Sequence, residues 1–166
     1  MLSRILGGLL ICLSCSLLGL YFGDKGARRA AVLLEFKRTL LMLKSEIKYA
    51  TCPLPQAFKR ISARTTAPFC NFYSQIGDKL NESSAAEAWE TVLQDLRLAK
   101  EDFAITSGLG RALGSIDASA QASAIDMTIL QLENAAARLG AENAKTARMY
   151  RGLGLAGGLL ITVILL

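Results

Sequence analysis

The apolar residues of this chain follow two different patterns. Residues 5–22 and 152–166 carry no charged side chain, whereas between them apolar residues recur every three or four positions. We find no run of four or more strictly alternating apolar and polar residues in this middle part. Spacings of three and four are typical of amphipathic α-helices, and alternation would indicate a strand. The chain is therefore predicted to be all-α.

Two local signals predict where helices of the middle part begin and end. Pro53 and Pro55 disfavour helical angles in the residues before them, but proline is tolerated in a first helical turn. One helix is therefore predicted to end near Ala50 and another to start near Pro53. Ser84 and Glu87 form the S-x-x-E pattern of a capping box and predict a further helix start. The six predicted helices cover roughly residues 27–50, 53–67, 68–80, 84–96, 100–113 and 117–166.

The fifth predicted helix contains glycines, which disfavour a helix unless close packing requires them. Gly108 and Gly110 each weaken a helix by about 1 kcal/mol, so a neighbouring element is predicted to pack closely there. Gly114 is predicted to end this helix in a left-handed conformation. The residues predicted to face a common core are Phe36, Leu40, Leu43, Ile47, Leu54, Phe58, Ile61, Phe69, Phe72, Tyr73, Ile76, Leu80, Ala88, Trp89, Val92, Leu93, Leu96, Phe103, Leu109, Leu113, Ile125, Ile129, Leu132, Ala136 and Leu139.

The sixth helix shows a heptad-like apolar seam that continues through Asn143, Thr146 and Tyr150. We predict that this seam packs within the bundle, because its polar positions beyond Leu139 weaken it as an intermolecular coiled coil. The seam runs directly into the uncharged C-terminal segment.

Composition changes the interpretation of the two ends. Apolar residues make up 52% of the 166 residues, more than is usual for a soluble domain, and the excess lies in the uncharged segments. As helices these segments would reach roughly 27 Å and 22 Å, against a bilayer core of about 30 Å. The second is adequate only where the bilayer thins locally. A cleaved signal peptide or a lipid on Cys15 are alternatives for the first, but no A-x-A-like site follows it, and an uncleaved anchor is preferred.

Basic residues flank both segments on their inner sides, and cytoplasmic flanks are enriched in positive charge. This places residues 24–151 in the cytosol, between an N-terminal anchor (1–23) and a C-terminal span (152–166). Such residues would also attract anionic lipid, so the bilayer itself is a predicted partner. They are Lys25, Arg28, Arg29, Lys145, Arg148 and Arg151.

The residues give no support for an enzyme or a cofactor site. The chain has no histidine, no phosphate-binding glycine loop, and one CxxC pair, Cys12 and Cys15, inside an apolar segment without further ligands. The net charge of +5 is not gathered on a basic face with interleaved aromatic residues, so nucleic-acid binding is not predicted. Stripes of small residues in the predicted spans leave open whether these helices pair within the chain or by self-association.

Several stretches resemble the stage III sporulation protein AB family over essentially the whole length. They are the first apolar segment with its basic flank, "LLMLKSEIKYATCPLPQAF" (40–58), "LGRALGSIDASAQ" (109–121) and "ARMYRGLGLAGGLLITVILL" (147–166). The resemblance implies a helical domain similar to the inner-membrane platform protein of type II secretion and type IV pilus machines. It also marks signature positions that are candidates for interaction but not for catalysis: Glu46, Ile47, Tyr49, Pro53, Leu54, Pro55 and Phe58.

From the residues themselves, Glu46 and Tyr49 are expected to bind across the corner made by the two prolines. Two features depart from the family pattern. Gln56 stands where the family often has an acid, and residues 123–146 are rich in alanine where long charged residues are usual.

The resemblance further implies a component of the secretion-like complex that joins mother cell and forespore. It would lie in the mother-cell membrane around the forespore, with its bundle in the cytosol near a cytosolic ATPase and other subunits. A non-enzymatic platform that docks this ATPase is therefore the leading hypothesis. A signalling or sensor subunit is the alternative, and a membrane-bound enzyme has no motif in its favour.

Overall fold

The computed structural model describes the backbone of residues 2–49, 53–115 and 117–165, and the side chains of residues 26–49, 53–115, 117–146, 148 and 149. The described backbone forms seven helices and no strand, which confirms the predicted all-α class. They are α1 (Leu2–Tyr49), α2 (Leu54–Ser62), α3 (Phe69–Lys79), α4 (Ala85–Asp95), α5 (Lys100–Ser107), α6 (Leu109–Leu113) and α7 (Ala118–Leu165).

The chain divides into two compact units. One is formed by Val32–Ala135, and the other by Met1–Ala31 together with Ala136–Leu166. Within the part of the chain whose side chains are described, no helix is long and apolar enough to cross a membrane. The predicted spans, residues 5–22 and 152–166, lie outside those described side chains. The spans, and the predicted division at residues 23 and 152, therefore stay predictions.

The local signals for helix ends are confirmed. α1 ends at Tyr49, and Pro53 precedes α2 with the extended angles φ −56° and ψ 142°. Ser84 caps α4, because its Oγ accepts from the backbone N–H of Glu87 while the Glu87 carboxylate accepts from the N–H of Ser84. These ends depend only on residues within one turn, which is why the sequence locates them well.

Two turns differ from the prediction. Gly114 is not left-handed: its φ of −76° and ψ of −5° are helical, and its N–H is bonded to the carbonyl of Gly110. The left-handed residue is Arg97 after α4, with φ of 47°. The predicted fifth helix is also divided in two at Gly108, between α5 and α6.

Replacing Arg97 with glycine is expected to raise the free energy of unfolding by about 0.5 to 1 kcal/mol, because glycine enters the left-handed region without the steric cost of a Cβ atom. Loss of the arginine side chain costs little stability, because this side chain is exposed, and so it does not cancel the gain. Urea denaturation of the full chain in detergent measures the change, with Arg97→Ala as the control that keeps the strain. Equal stability of the two variants would contradict this account.

The core of the Val32–Ala135 unit is an aromatic cluster. The rings of Phe36, Phe72 and Trp89 lie with centroids 5.1 to 6.2 Å apart, and Phe58 stacks on Tyr73 at 5.8 Å. Most of the predicted core residues are buried, and the predicted core is largely confirmed. The predicted core residues that are only half-buried are Ile47, Leu54, Leu80, Leu96, Phe103 and Leu139.

Polar residues in the core were not predicted. In α5, Asp102 and Thr106 are buried while Phe103 is half-exposed. Thr106 can be buried because its hydroxyl donates to the carbonyl of Asp102, and its own carbonyl accepts from Trp89 Nε1 at 2.9 Å. A threonine satisfied in this way costs little on burial. The hydrogen bond from Trp89 joins α5 to α4 at this point.

Candidate interaction site

The corner between α1 and α2 is held by one carboxylate. Glu46 Oε2 accepts from Arg60 Nη1 at 3.2 Å, and Oε1 accepts from Arg64 Nη1 at 3.4 Å. Only 11% of the Glu46 side chain is exposed, whereas both arginines are more than half exposed. Glu46 therefore binds across the corner, as expected from its place before the prolines.

The first turn of α2 forms the other side of the corner. The carbonyl of Pro53 accepts from the N–H groups of Gln56 and Ala57 at 2.9 and 3.1 Å. Phe58 is buried against Tyr73 and Trp89. A Cβ atom on Gly77 of α3 would lie 3.3 Å from the Pro55 carbonyl oxygen, so glycine at this position lets α3 pack closely on α2.

The seven signature residues thus separate into two groups. Phe58 is buried and Glu46, Ile47, Leu54 and Pro55 are half-buried, whereas Pro53 and Tyr49 are exposed. The expectation that Tyr49 binds across the corner is wrong: it is 72% exposed, and Lys48 Nζ of its own helix lies 5.3 Å from its ring centroid.

Replacing both Pro53 and Pro55 with alanine is expected to lower the free energy of unfolding by about 1 kcal/mol. The unfolded chain gains conformational freedom at both positions, and α1 is no longer prevented from continuing past Tyr49. Thermal unfolding followed by circular dichroism measures the loss, and Gln56→Ala in the same exposed turn is the control. Unchanged unfolding of the double variant would contradict the role of the prolines.

A second surface, which we call the outer face of α1, consists of Leu34, Arg38, Leu41, Lys48 and Tyr49. Leu34 and Leu41 are 50% and 45% exposed. They are seven residues apart and so lie on the same side of the helix. This surface was not predicted, because the three-and-four spacing of apolar residues identifies the inward side of α1 and does not include these two leucines. Their exposure can be recognised only once the core-facing side of α1 is known.

Helix α7 lies beside this surface. Lys37 pairs with Glu133, and Lys44 Nζ donates to both carboxylate oxygens of Asp126 at 2.6 and 2.7 Å. Because α1 and α7 run in opposite directions in this pairing, Leu41 and Leu130 come to the same level. Leu130 and Met127 are 54% and 61% exposed. The seam of α7 packs within the molecule, as predicted, with Ile125, Ile129 and Leu132 buried.

The charges that α1 exposes are basic. In its described part, Arg28, Arg38 and Lys48 are exposed, whereas the acidic residues are half-buried. Glu35 Oε2 lies 3.9 Å from Arg38 Nη1, and the Glu46 carboxylate is turned toward the arginines of the corner. The outer face of α1 therefore combines apolar and basic side chains.

In the unit formed by the two ends of the chain, α1 and α7 also approach closely. A Cβ atom on Gly26 would lie 2.2 Å from Asn143 Oδ1. The amide nitrogen of Asn143 is buried and has no hydrogen-bond partner among the described residues. Glycine at position 26 thus makes room for the one strongly polar side chain in this stretch of the seam.

Comparison with known proteins gives a consistent result. The family model described as Stage III sporulation protein AB matches residues 4–166. A protein of Bacillus subtilis (strain 168) named Stage III sporulation protein AB is 27% identical over 169 residues, which cover 98% of this chain and 99% of that protein. A solved structure titled Stage III sporulation protein AB (SpoIIIAB) superposes with a TM-score of 0.62 at 25% identity, covering 70% of this chain and 94% of the other.

Proposed function

The chain belongs to the stage III sporulation protein AB family, and from this premise we propose that it is a non-enzymatic platform in a sporulation-specific, secretion-like complex. Its two ends anchor it in the mother-cell membrane around the forespore, and its helical bundle docks a cytosolic secretion-type ATPase. Other subunits of the complex are further partners of the same bundle.

The observation that carries this proposal is the match of the family model to residues 4–166, and the outer face of α1 supports it. Exposed apolar side chains that share one side of a helix suit that helix to binding another protein. The corner bound by Glu46 supports the same role, since it turns the chain from α1 into the bundle.

The proposal is tested by purification of the tagged full chain from membranes together with the P-loop ATPase of the same organism. We expect the ATPase to be retained, and a strain that lacks the chain to fail in spore formation. A matched control is an unrelated tagged protein with two membrane spans. Failure to retain the ATPase, combined with normal spore formation in the deletion strain, would overturn the proposal.

A second experiment separates the platform from a sensor. Both predicted spans are replaced by unrelated apolar helices of equal length, and spore formation is counted. A platform needs only anchoring and should retain most of its function. Complete loss of function with normal membrane insertion would favour the sensor.

A further inference from the structure

The exposed apolar side chains of the outer face of α1 lie on one side of the helix. Leu34 and Leu41 are spaced by two helical turns, and Leu130 of α7 lies at the level of Leu41. Single exposed leucines are common on soluble proteins and need no explanation, but a set on one side of a helix does. Anchors seven residues apart on one helix are typical of contact with a partner helix or groove.

The basic side chains of this face restrict what can cover it. Arg38 lies between the two leucines in sequence, and Lys48 lies beside Tyr49. The Glu46 carboxylate on the same helix is turned away, toward Arg60 and Arg64. Glu35 Oε2 lies 3.9 Å from Arg38 Nη1 and offsets part of that charge, while Lys48 keeps the face basic. The face therefore favours a partner with acidic side chains around its apolar ones.

The face is also held in place before any partner arrives. Beneath it, Leu33, Phe36 and Leu40 are buried in the core. Beside it, the Lys37–Glu133 and Lys44–Asp126 ion pairs fix α1 against α7. A rigid face loses little conformational entropy on binding, which favours affinity.

Resting on the proposed function, we propose that the outer face of α1 is the surface on which the cytosolic ATPase docks. The docking element of the ATPase is an amphipathic helix or patch whose apolar side chains are flanked by aspartate or glutamate. A second copy of this chain fits the face less well, because a symmetric contact would bring the basic side chains of both outer faces into one interface.

The test measures binding of the ATPase to the full chain in detergent, with the double variant Arg38→Glu and Lys48→Glu. Both side chains are exposed, so the variant is expected to fold normally, which its thermal unfolding checks. We expect binding to weaken about tenfold or more at low salt, and the effect to shrink as salt screens the charges. Leu41→Ala should weaken binding with little dependence on salt.

The matched control is Lys79→Glu with Lys100→Glu, on α3 and α5, which makes the same change in net charge at two exposed positions elsewhere. It should bind like the unmodified chain. An equal loss in the control would show non-specific attraction and overturn the inference.

The remaining outcomes separate this inference from the proposed function. If the unmodified chain binds the ATPase and the outer-face variants bind it equally well, the docking surface lies elsewhere and only this inference fails. If the unmodified chain does not bind the ATPase, the proposed function and the inference fail together. If the variants change the oligomeric state of the chain but not ATPase binding, a second copy covers the face and the inference is overturned.

Discussion

Replacing Gly110 with alanine is expected to lower the free energy of unfolding by about 2 kcal/mol, although alanine is the better helix former. A Cβ atom at this position would lie 2.7 Å from Trp89 Cβ and 2.9 Å from Cγ. Trp89 cannot move aside, because it is fully buried among Phe36, Phe58 and Phe72 and its Nε1 donates to the carbonyl of Thr106. Urea denaturation followed by the fluorescence of Trp89, the single tryptophan, measures the loss.

The control for this prediction is the neighbouring glycine. A Cβ atom on Gly108 would meet nothing within 4 Å, and its φ of −63° suits any residue. Gly108→Ala is therefore expected to raise the free energy of unfolding by up to about 1 kcal/mol, because alanine restricts the unfolded chain more than glycine does. If the two variants change stability in the same direction, close packing of α6 on Trp89 is not what requires glycine at position 110.

Removal of the Thr39 hydroxyl is expected to cost about 2 kcal/mol. Thr39 donates to the carbonyl of Phe36 at 2.7 Å, so its oxygen accepts the proton of the buried Tyr73 hydroxyl at 2.8 Å. Thr39→Val keeps the shape but leaves the Tyr73 hydroxyl buried without an acceptor. Tyr73→Phe removes that hydroxyl and is expected to cost only about 1 kcal/mol. Urea denaturation of both variants measures the two costs.

The double variant Thr39→Val with Tyr73→Phe distinguishes loss of the shared hydrogen bond from simple loss of packing. Once Tyr73 is phenylalanine, Thr39→Val no longer strands a buried group, so the double variant should be at least as stable as Thr39→Val alone. Costs that add up would contradict the shared hydrogen bond.

The same tyrosine makes a pH-dependent contribution. Burial raises the pKa of Tyr73 far above its usual range. The folded state thus keeps a proton that the unfolded chain loses above pH about 10. This contribution to stability is complete below that pH and is lost as the pH rises further. We expect unfolding curves of the unmodified chain to shift more with alkaline pH than those of Tyr73→Phe.

Much of the fold could be predicted because its signals are local. The prolines, the capping box and the three-and-four spacing of apolar residues each act within a turn or two of helix. Asp117 is a further example: it was predicted to begin the last helix, and its carboxylate accepts from the N–H and hydroxyl of Ser119, both at 2.9 Å. These bonds hold the pKa of Asp117 below its usual range.

What could not be predicted depends on contacts between distant residues. Thr106 is buried where its carbonyl accepts a hydrogen bond from Trp89, which lies 17 residues earlier in the chain. The left-handed conformation was expected at a glycine, but Arg97 adopts it, because the path from α4 to α5 and not the residue type sets the angle there. The partners of Glu46 could not be predicted either. Its position indicated a contact across the corner, but it did not indicate which basic residues make that contact.

Glu46 binds two arginines, so each arginine can be replaced by the other in holding the corner, whereas the carboxylate has no substitute. Each arginine binds a different oxygen of the same side chain, so loss of either one leaves the corner closed by the other. Loss of Glu46 removes both contacts at once. Among related sequences, we therefore expect positions 60 and 64 to vary one at a time and position 46 to vary little. A residue other than an acid at position 46 should be found only in sequences where both arginines have changed as well.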